Sequence, residues 1–300
     1  MGKVIEIKNL KKYYKNVKAV DDVSIEVEKG DIVAILGPNG AGKTTTVETL
    51  EGLREATSGD IYYFGKKVKK IDHEIKEQIG VQLQNNSFFE NLTVKEIIKA
   101  FAGLYKKSVP VSSLLERFKL EEKKNSKIKN LSGGQLQRVA LAVSVVNDPE
   151  IVFLDEPTTG LDPQARRNLW EEIEKLKNEG KTIILTTHYM EEAEICNKIA
   201  VIDGGKIVAH DTPYALKKKF TKDKAYISTS NEYELEQLLE KYQLEYVKKK
   251  GYYKVDAENT NHLLQVLSLQ KEAITDIEIK KGTFNDVFIE ITGKTIREDA

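Results

Sequence analysis

Gly37-Pro38-Asn39-Gly40-Ala41-Gly42-Lys43-Thr44-Thr45 has the spacing G-x-x-x-x-G-K-[ST] of a P-loop. Small residues at those offsets let backbone N–H groups wrap phosphates, and Lys43 reaches the β- and γ-phosphates of a nucleotide. The Thr44 hydroxyl is placed to ligate Mg2+, and a helix running on from Thr44 to Leu53 points its positive end at the same anion. Leu131-Ser132-Gly133-Gly134-Gln135 opens a helical pattern over 133–147, so its N–H groups form a second anion site. Its plainer reading is a serine-capped helix start with a glycine turn. The run Ile-Val-Phe-Leu-Asp-Glu-Pro at 151–157 is an apolar strand ending in two carboxylates. There Asp155 is suited to hold Mg2+ through water, and Glu156 to orient and polarise an attacking water. A helix cap or a solvated turn is the alternative, but a buried strand seldom ends in an acidic pair without a task.

These residues need elements to aim them. Asp-Ile-Val-Ala-Ile-Leu (31–36) is a continuous apolar run of strand length that feeds the glycine turn, and the helix follows it. Ile-Val-Phe-Leu (151–154), a helix over 163–178, Thr-Ile-Ile-Leu-Thr-Thr (182–187) and Lys-Ile-Ala-Val-Ile-Asp (198–203) alternate strand and helix, as parallel α/β folds do. Val-Ile-Glu-Ile-Lys-Asn-Leu and Val-Ser-Ile-Glu-Val near the start alternate apolar and polar residues, which predicts an antiparallel β subdomain. Residues 94–107 and 112–120 repeat apolar side chains every three to four positions and predict helices in an insertion spanning about 85–145.

A first domain of residues 1–215 is therefore expected, with a second over 216–300. The second reads strand, helix, strand, strand, helix, strand, the ferredoxin-like split-βαβ order, with a last helix at 283–291. The fold class expected is α/β, a parallel-sheet core with an antiparallel subdomain and a helical insertion, plus a small α+β domain.

Composition narrows the function. Lys+Arg and Asp+Glu both number 47 in 300 residues, so nothing marks a basic body built to hold nucleic acid. The one cysteine, Cys196, allows no intrachain disulfide, and the charged start carries no apolar signal core. No run approaches the roughly 18 apolar residues of a spanning helix. These features predict a cytoplasmic protein that meets a membrane only through a partner.

In their order along residues 3 to about 215, the motifs resemble those of ATP-binding cassette (ABC) ATPase subunits. The resemblance implies that Tyr14, rather than its neighbour Tyr13, stacks on adenine. It implies that Gln84, in preference to Gln82, reaches Mg2+ and the attacking water. It also implies that Asp162 lies on a loop crossing between subunits, and that His188 contacts the γ-phosphate. Ser132, Gly134 and Gln135 would serve the ATP of a second copy, so a head-to-tail homodimer with composite sites is implied, with ATP and Mg2+ as ligands. Thr283–Gly293 is similar to the tail of ATPases in one exporter branch, which pair with a separate integral-membrane permease on the inner face of the cell membrane. Phe88 and Phe89, just past Gln84, are then either the permease groove or core of the insertion.

Two other readings compete. A soluble ABC ATPase acting on ribosomes or DNA would be expected to carry a second cassette, a long heptad run or a cysteine zinc module, which are not seen here. An ATP-sensing regulator would not need Glu156, Gln84 and His188 together.

Overall fold

The computed structural model describes residues 2–84, 87–257 and 260–293. The chain parts into two compact units between Thr212 and Pro213. Asn85 and Asn86, where the expected insertion begins, and 294–300, the end of the expected second domain, lie outside the described residues.

The first unit opens with β1 (Lys3–Tyr14), β2 (Val17–Glu28) and β3 (Ile32–Leu36), then α1 (Lys43–Leu50), β4 (Ser58–Tyr63), β5 (Lys66–Val68), α2 (His73–Lys76) and β6 (Ile79–Gln82). The insertion holds α3 (Val94–Ala102), α4 (Val111–Arg117) and α5 (Gly133–Ser144). The unit ends with β7 (Ile151–Asp155), α6 (Pro163–Asn178), β8 (Thr182–Thr187), α7 (Met190–Ile195), β9 (Lys198–Asp203) and β10 (Lys206–Asp211).

Six strands form one sheet in the order β10-β9-β3-β8-β7-β6, parallel except for β10. Every residue of β3, β7 and β8 is buried, which explains their unbroken apolar runs: a parallel sheet is covered on both faces. An antiparallel sheet, β2-β1-β4-β5, shares one apolar cluster with it. Val47 and Leu50 of α1 join that cluster, together with Ile5 and Ile7 of β1 and Ile35 and Phe153 of the parallel sheet. The P-loop helix is thus anchored in the main core.

Two predicted helices stop early. α3 ends at Ala102 rather than near 107, because Gly103, a poor helix former, follows and Leu104 beyond it is exposed. α5 ends at Ser144 rather than 147, and the Asn147 amide instead donates to the carbonyls of Glu77 and Ile79, tying the turn to β6.

The second unit contains α8 (Pro213–Phe220), β11 (Asp223–Thr229), α9 (Glu232–Lys241), β12 (Tyr246–Lys249), β13 (Tyr252–Ala257), α10 (Thr260–Ser268), β14 (Ile274–Lys280) and α11 (Phe284–Thr292). Its sheet runs β12-β13-β11-β14 with antiparallel neighbours throughout, the order that two interleaved βαβ units produce. α11 is started by a Thr283–Asp286 capping box and buries Phe284, Val287 and Phe288, and it packs against α8.

One buried acid sits at the far end of the P-loop helix. Glu51 is 5% exposed, and its Oε1 has no hydrogen-bond partner. Burial, reinforced by Asp155 and Glu48, pushes its carboxyl up to about 8. Because the folded-state value lies above the unfolded one of 4.5, the fold holds the proton more tightly, and stability falls as pH rises from about 4.5 to about 8. Glu51→Gln mimics the protonated acid and removes that loss, whose upper limit is about 5 kcal/mol. The variant's unfolding midpoint is expected to exceed wild type by several degrees at pH 8.5 and to converge on it near pH 5. A difference independent of pH would contradict the assignment.

Candidate functional site

The C-terminal ends of β3, β8 and β7 lie side by side, with Leu36 opposite Thr187 and Asp155 opposite Thr186. Open parallel sheets bind ligands at this edge. The P-loop leaves β3 there, and its glycines are required by close approach. A Cβ on Gly37 would lie 2.2 Å from the Ile202 carbonyl oxygen. One on Gly42, whose φ is +104°, would lie 2.3 Å from that of Ala19. Lys43 folds into the loop, its Nζ donating to the carbonyls of Gly37 (2.9 Å) and Pro38 (3.3 Å).

Glu156 is the hub. Its Oε2 accepts from Gln84 Nε2 at 3.1 Å and Thr159 Oγ1 at 3.2 Å, and lies 3.4 Å from His188 Nδ1. Its Oε1 is 3.9 Å from Lys43 Nζ. The His188 hydrogen bond holds the Glu156 carboxyl below the usual range against the opposing effect of burial. Its neighbour behaves oppositely: burial raises Asp155, although Thr186 and Thr44 donate to it. Burial also lowers Lys43, opposed by Glu156 and Asp155. Glu156 has φ +47°, the left-handed region, and is pinned there by its N–H, which donates to Thr186 Oγ1 at 2.9 Å.

The cluster thus gathers Lys43, Thr44, Gln84, Asp155, Glu156 and His188 from four separate chain segments. Gln82 takes no part: it is buried, and its amide donates to Gln137 Oε1 at 3.0 Å.

Other candidate residues lie elsewhere. Ser132 caps α5 by accepting from the Gln135 N–H, and the Gln135 side chain returns a bond to the Ser132 N–H. Asp162 caps α6 by accepting from the N–H groups of Gln164 and Ala165. A Cβ on Gly134 would lie 3.1 Å from that of Ala165, so the two capped ends adjoin. Among the described residues, no hydrogen bond or ion pair joins Ser132, Gly134, Gln135 or Asp162 to the Glu156 cluster. Tyr14 is partly exposed, with the Arg54 guanidinium 5.6 Å from its ring. Tyr13 is instead engaged through its hydroxyl, which donates to Asp21 at 2.5 Å.

Thr159 and Thr186 are site residues that motif reading missed. Thr186 carried a signal, a hydroxyl at the buried end of β8 where packing alone would select Val, whereas Thr159 is exposed in the turn after β7 and carried none. The donor set offered by Thr44 (hydroxyl), Gln84 (amide oxygen) and Asp155 (carboxylate) is hard oxygen, which suits Mg2+.

Comparison with known proteins agrees with this geometry. Residues 20–159 match the ABC transporter family, and residues 212–292 match the family described as "ATP-binding protein DrrA1-3-like, C-terminal domain". The chain is 41% identical over 218 residues to the Nod factor export ATP-binding protein I of Burkholderia orbicola (strain AU 1054), covering 71% of this chain and 72% of that one. It is 39% identical over 222 residues to the protein of that name from Cupriavidus metallidurans, covering 72% and 73%. Among solved structures, the dimeric bacterial ABC transporter cassette MJ0796 superposes with a TM-score of 0.64 at 29% identity, over 69% of this chain and 98% of that chain. A dimeric post-hydrolysis state of the same cassette, bound to ADP and Pi, gives 0.63 at 28%, over the same shares. The chain therefore belongs to the ABC transporter family, as one of its ATP-binding and ATP-hydrolysing proteins working with Mg2+.

Proposed function

We propose that this chain powers an exporter: two copies close head to tail over two ATP molecules and move a separate integral-membrane permease from the cytoplasmic face. The observation that carries the chemistry is the Glu156 carboxylate, which is met by Gln84, Thr159, His188 and Lys43. Water attacks the γ-phosphorus, the bond to the bridging oxygen of ADP breaks, and the water's proton passes to Glu156. Gln84 and His188 hold that carboxylate in line, and Lys43 and the N-terminus of α1 offset charge on the phosphates. When bound, Mg2+ neutralises phosphate charge, and Thr44, Asp155 and Gln84 are the residues to hold it. Tyr14 packs on the adenine. Asp162, with Ser132, Gly134 and Gln135, faces the second copy. The exporter assignment is supported by the Nod factor export relatives and by the match of residues 212–292, and the second unit acts as an accessory domain.

No helix among the described residues is long and apolar enough to cross a membrane. Contact with a permease therefore needs a surface, and the loop after Gln84 offers one. Phe88 packs edge-on against Phe101, with ring centroids 6.0 Å apart, whereas Phe89 is 78% exposed. This supports Phe89 as the contact, with the half-buried Phe88 packed on the insertion. A tagged chain is expected to retain a polytopic membrane protein from detergent-solubilised membranes of its source cells. Phe89→Ser should lose that protein while keeping ATPase activity in solution, because an exposed aromatic anchor acts at an interface and not in the fold. Undiminished retention by Phe89→Ser would displace the contact from this loop.

A further inference from the structure

Glu192 on α7 is 2% exposed, and an ionised carboxylate so placed is costly unless its oxygens are matched. Here each oxygen is used by a different chain segment. Oε1 accepts from Thr158 Oγ1 at 2.5 Å, and Oε2 accepts from Thr187 Oγ1 at 2.7 Å. Thr158 adjoins Thr159, whose hydroxyl donates to Glu156, and Thr187 adjoins His188, which lies on the same Glu156 oxygen. Glu192 thus grips the segments that carry Thr159 and His188, two of the three groups on Glu156 Oε2; the third, Gln84, lies on a separate segment.

A third element is drawn to the same point. Arg166, one turn into α6 from Asp162, has its Nε 3.9 Å from Glu192 Oε1. Its guanidinium stacks 3.7 Å above the Tyr189 ring, and that ring lies 4.2 Å from His188. The segment being gripped is also one that resists its own conformation, since Glu156 sits at φ +47° and such backbones persist only when surroundings over-determine them. The Thr158 tie fixes the chain two residues beyond that point.

We propose that Glu192 is a positioning residue for hydrolysis, its carboxylate tying Thr158 to Thr187 so that Glu156 and His188 keep one register. The role rests on the reading of Glu156 and His188 as the pair that activates water. Small misplacements of a reacting group cost rate rather than binding, so the expected signature is in kcat.

Steady-state ATPase kinetics on the purified full-length chain test this. Glu192→Ala is expected to lower kcat by about 10-fold or more, with KM for ATP changed by less than about 3-fold. Glu192→Gln is expected to recover kcat to within about 3-fold of wild type, because the amide oxygen accepts one hydroxyl and its NH2 donates to the other. Thr158→Val combined with Thr187→Val, which leaves Glu192 in place, should reproduce the kcat loss. A folded Glu192→Ala enzyme with wild-type kcat overturns the proposal, as does a Gln variant no better than Ala. Should Glu192→Ala fail to fold, the threonine pair decides, and wild-type kcat there overturns it equally. Failure of the underlying reading shows separately, as undiminished turnover in Glu156→Gln.

Discussion

Glu156→Gln is expected to lower ATP turnover by about 100-fold or more while ATP binding persists. The amide keeps the shape of the carboxylate, and its oxygen can still accept from Gln84 and Thr159, which reach the same Oε2 in the wild type. What it loses is the ability to take a proton from water. The His188 hydrogen bond holds the wild-type carboxyl low, so the base is ready at neutral pH, and no other carboxylate in the cluster replaces it. Asp155 is the nearest candidate, but burial raises it, and it already accepts from Thr44 and Thr186. Two measurements check this: kcat under saturating Mg-ATP, and the elution of an ATP-bound dimer on sizing chromatography, which should lengthen in lifetime as hydrolysis stops. Wild-type turnover in this variant would remove Glu156 from the chemistry.

Much of this site was legible because a doubly covered parallel sheet writes itself plainly. β3, β7 and β8 must be apolar along their whole length, so the polar residues where each run ends stand out as candidates, and Asp155 and Glu156 were found that way, whereas His188 came from the family resemblance. The hairpin partner β10 was missed although its cue was present. Gly204 and Gly205 both take positive φ in a two-residue turn, and Lys206–Asp211 is too weakly apolar to read as a buried strand because it forms the antiparallel edge. The order of strands in the second unit followed from element order alone, since two βαβ units have few ways to interleave. Side-chain partnership was less accessible. The Thr158–Glu192 bond spans 34 residues with no motif to announce it, and nothing in the run Phe88-Phe89 shows which ring turns inward. The resemblance favoured Gln84 over Gln82, and packing supplies the physical distinction, one bonded to Gln137 and the other to Glu156.

The shared-site arrangement carries the second large effect, because Lys43 and Ser132 are proposed to act on one ATP from different chains. Lys43 lies in the Glu156 cluster, whereas the Ser132 side chain is bonded within its own helix start. Lys43→Ala removes the phosphate cation, and Ser132→Arg sterically blocks the Leu131–Gln135 loop, so each homodimer carries two defective sites and should be nearly inactive. In a mixed dimer the Lys43→Ala chain still offers a sound Leu131–Gln135 loop, and the Ser132→Arg chain a sound P-loop. One site then combines both intact halves while the other collects both defects. Sites built within one chain would instead leave every site in the mixture defective. Co-expressed, differently tagged variants purified through both tags are therefore expected to regain ATP-dependent nucleotide trapping at one site per dimer. Trapping is the cleaner measurement, since hydrolysis can require both sites to be occupied and intact. Verified heterodimers that trap no nucleotide would exclude the shared site, and with it the requirement that two copies close before either hydrolyses.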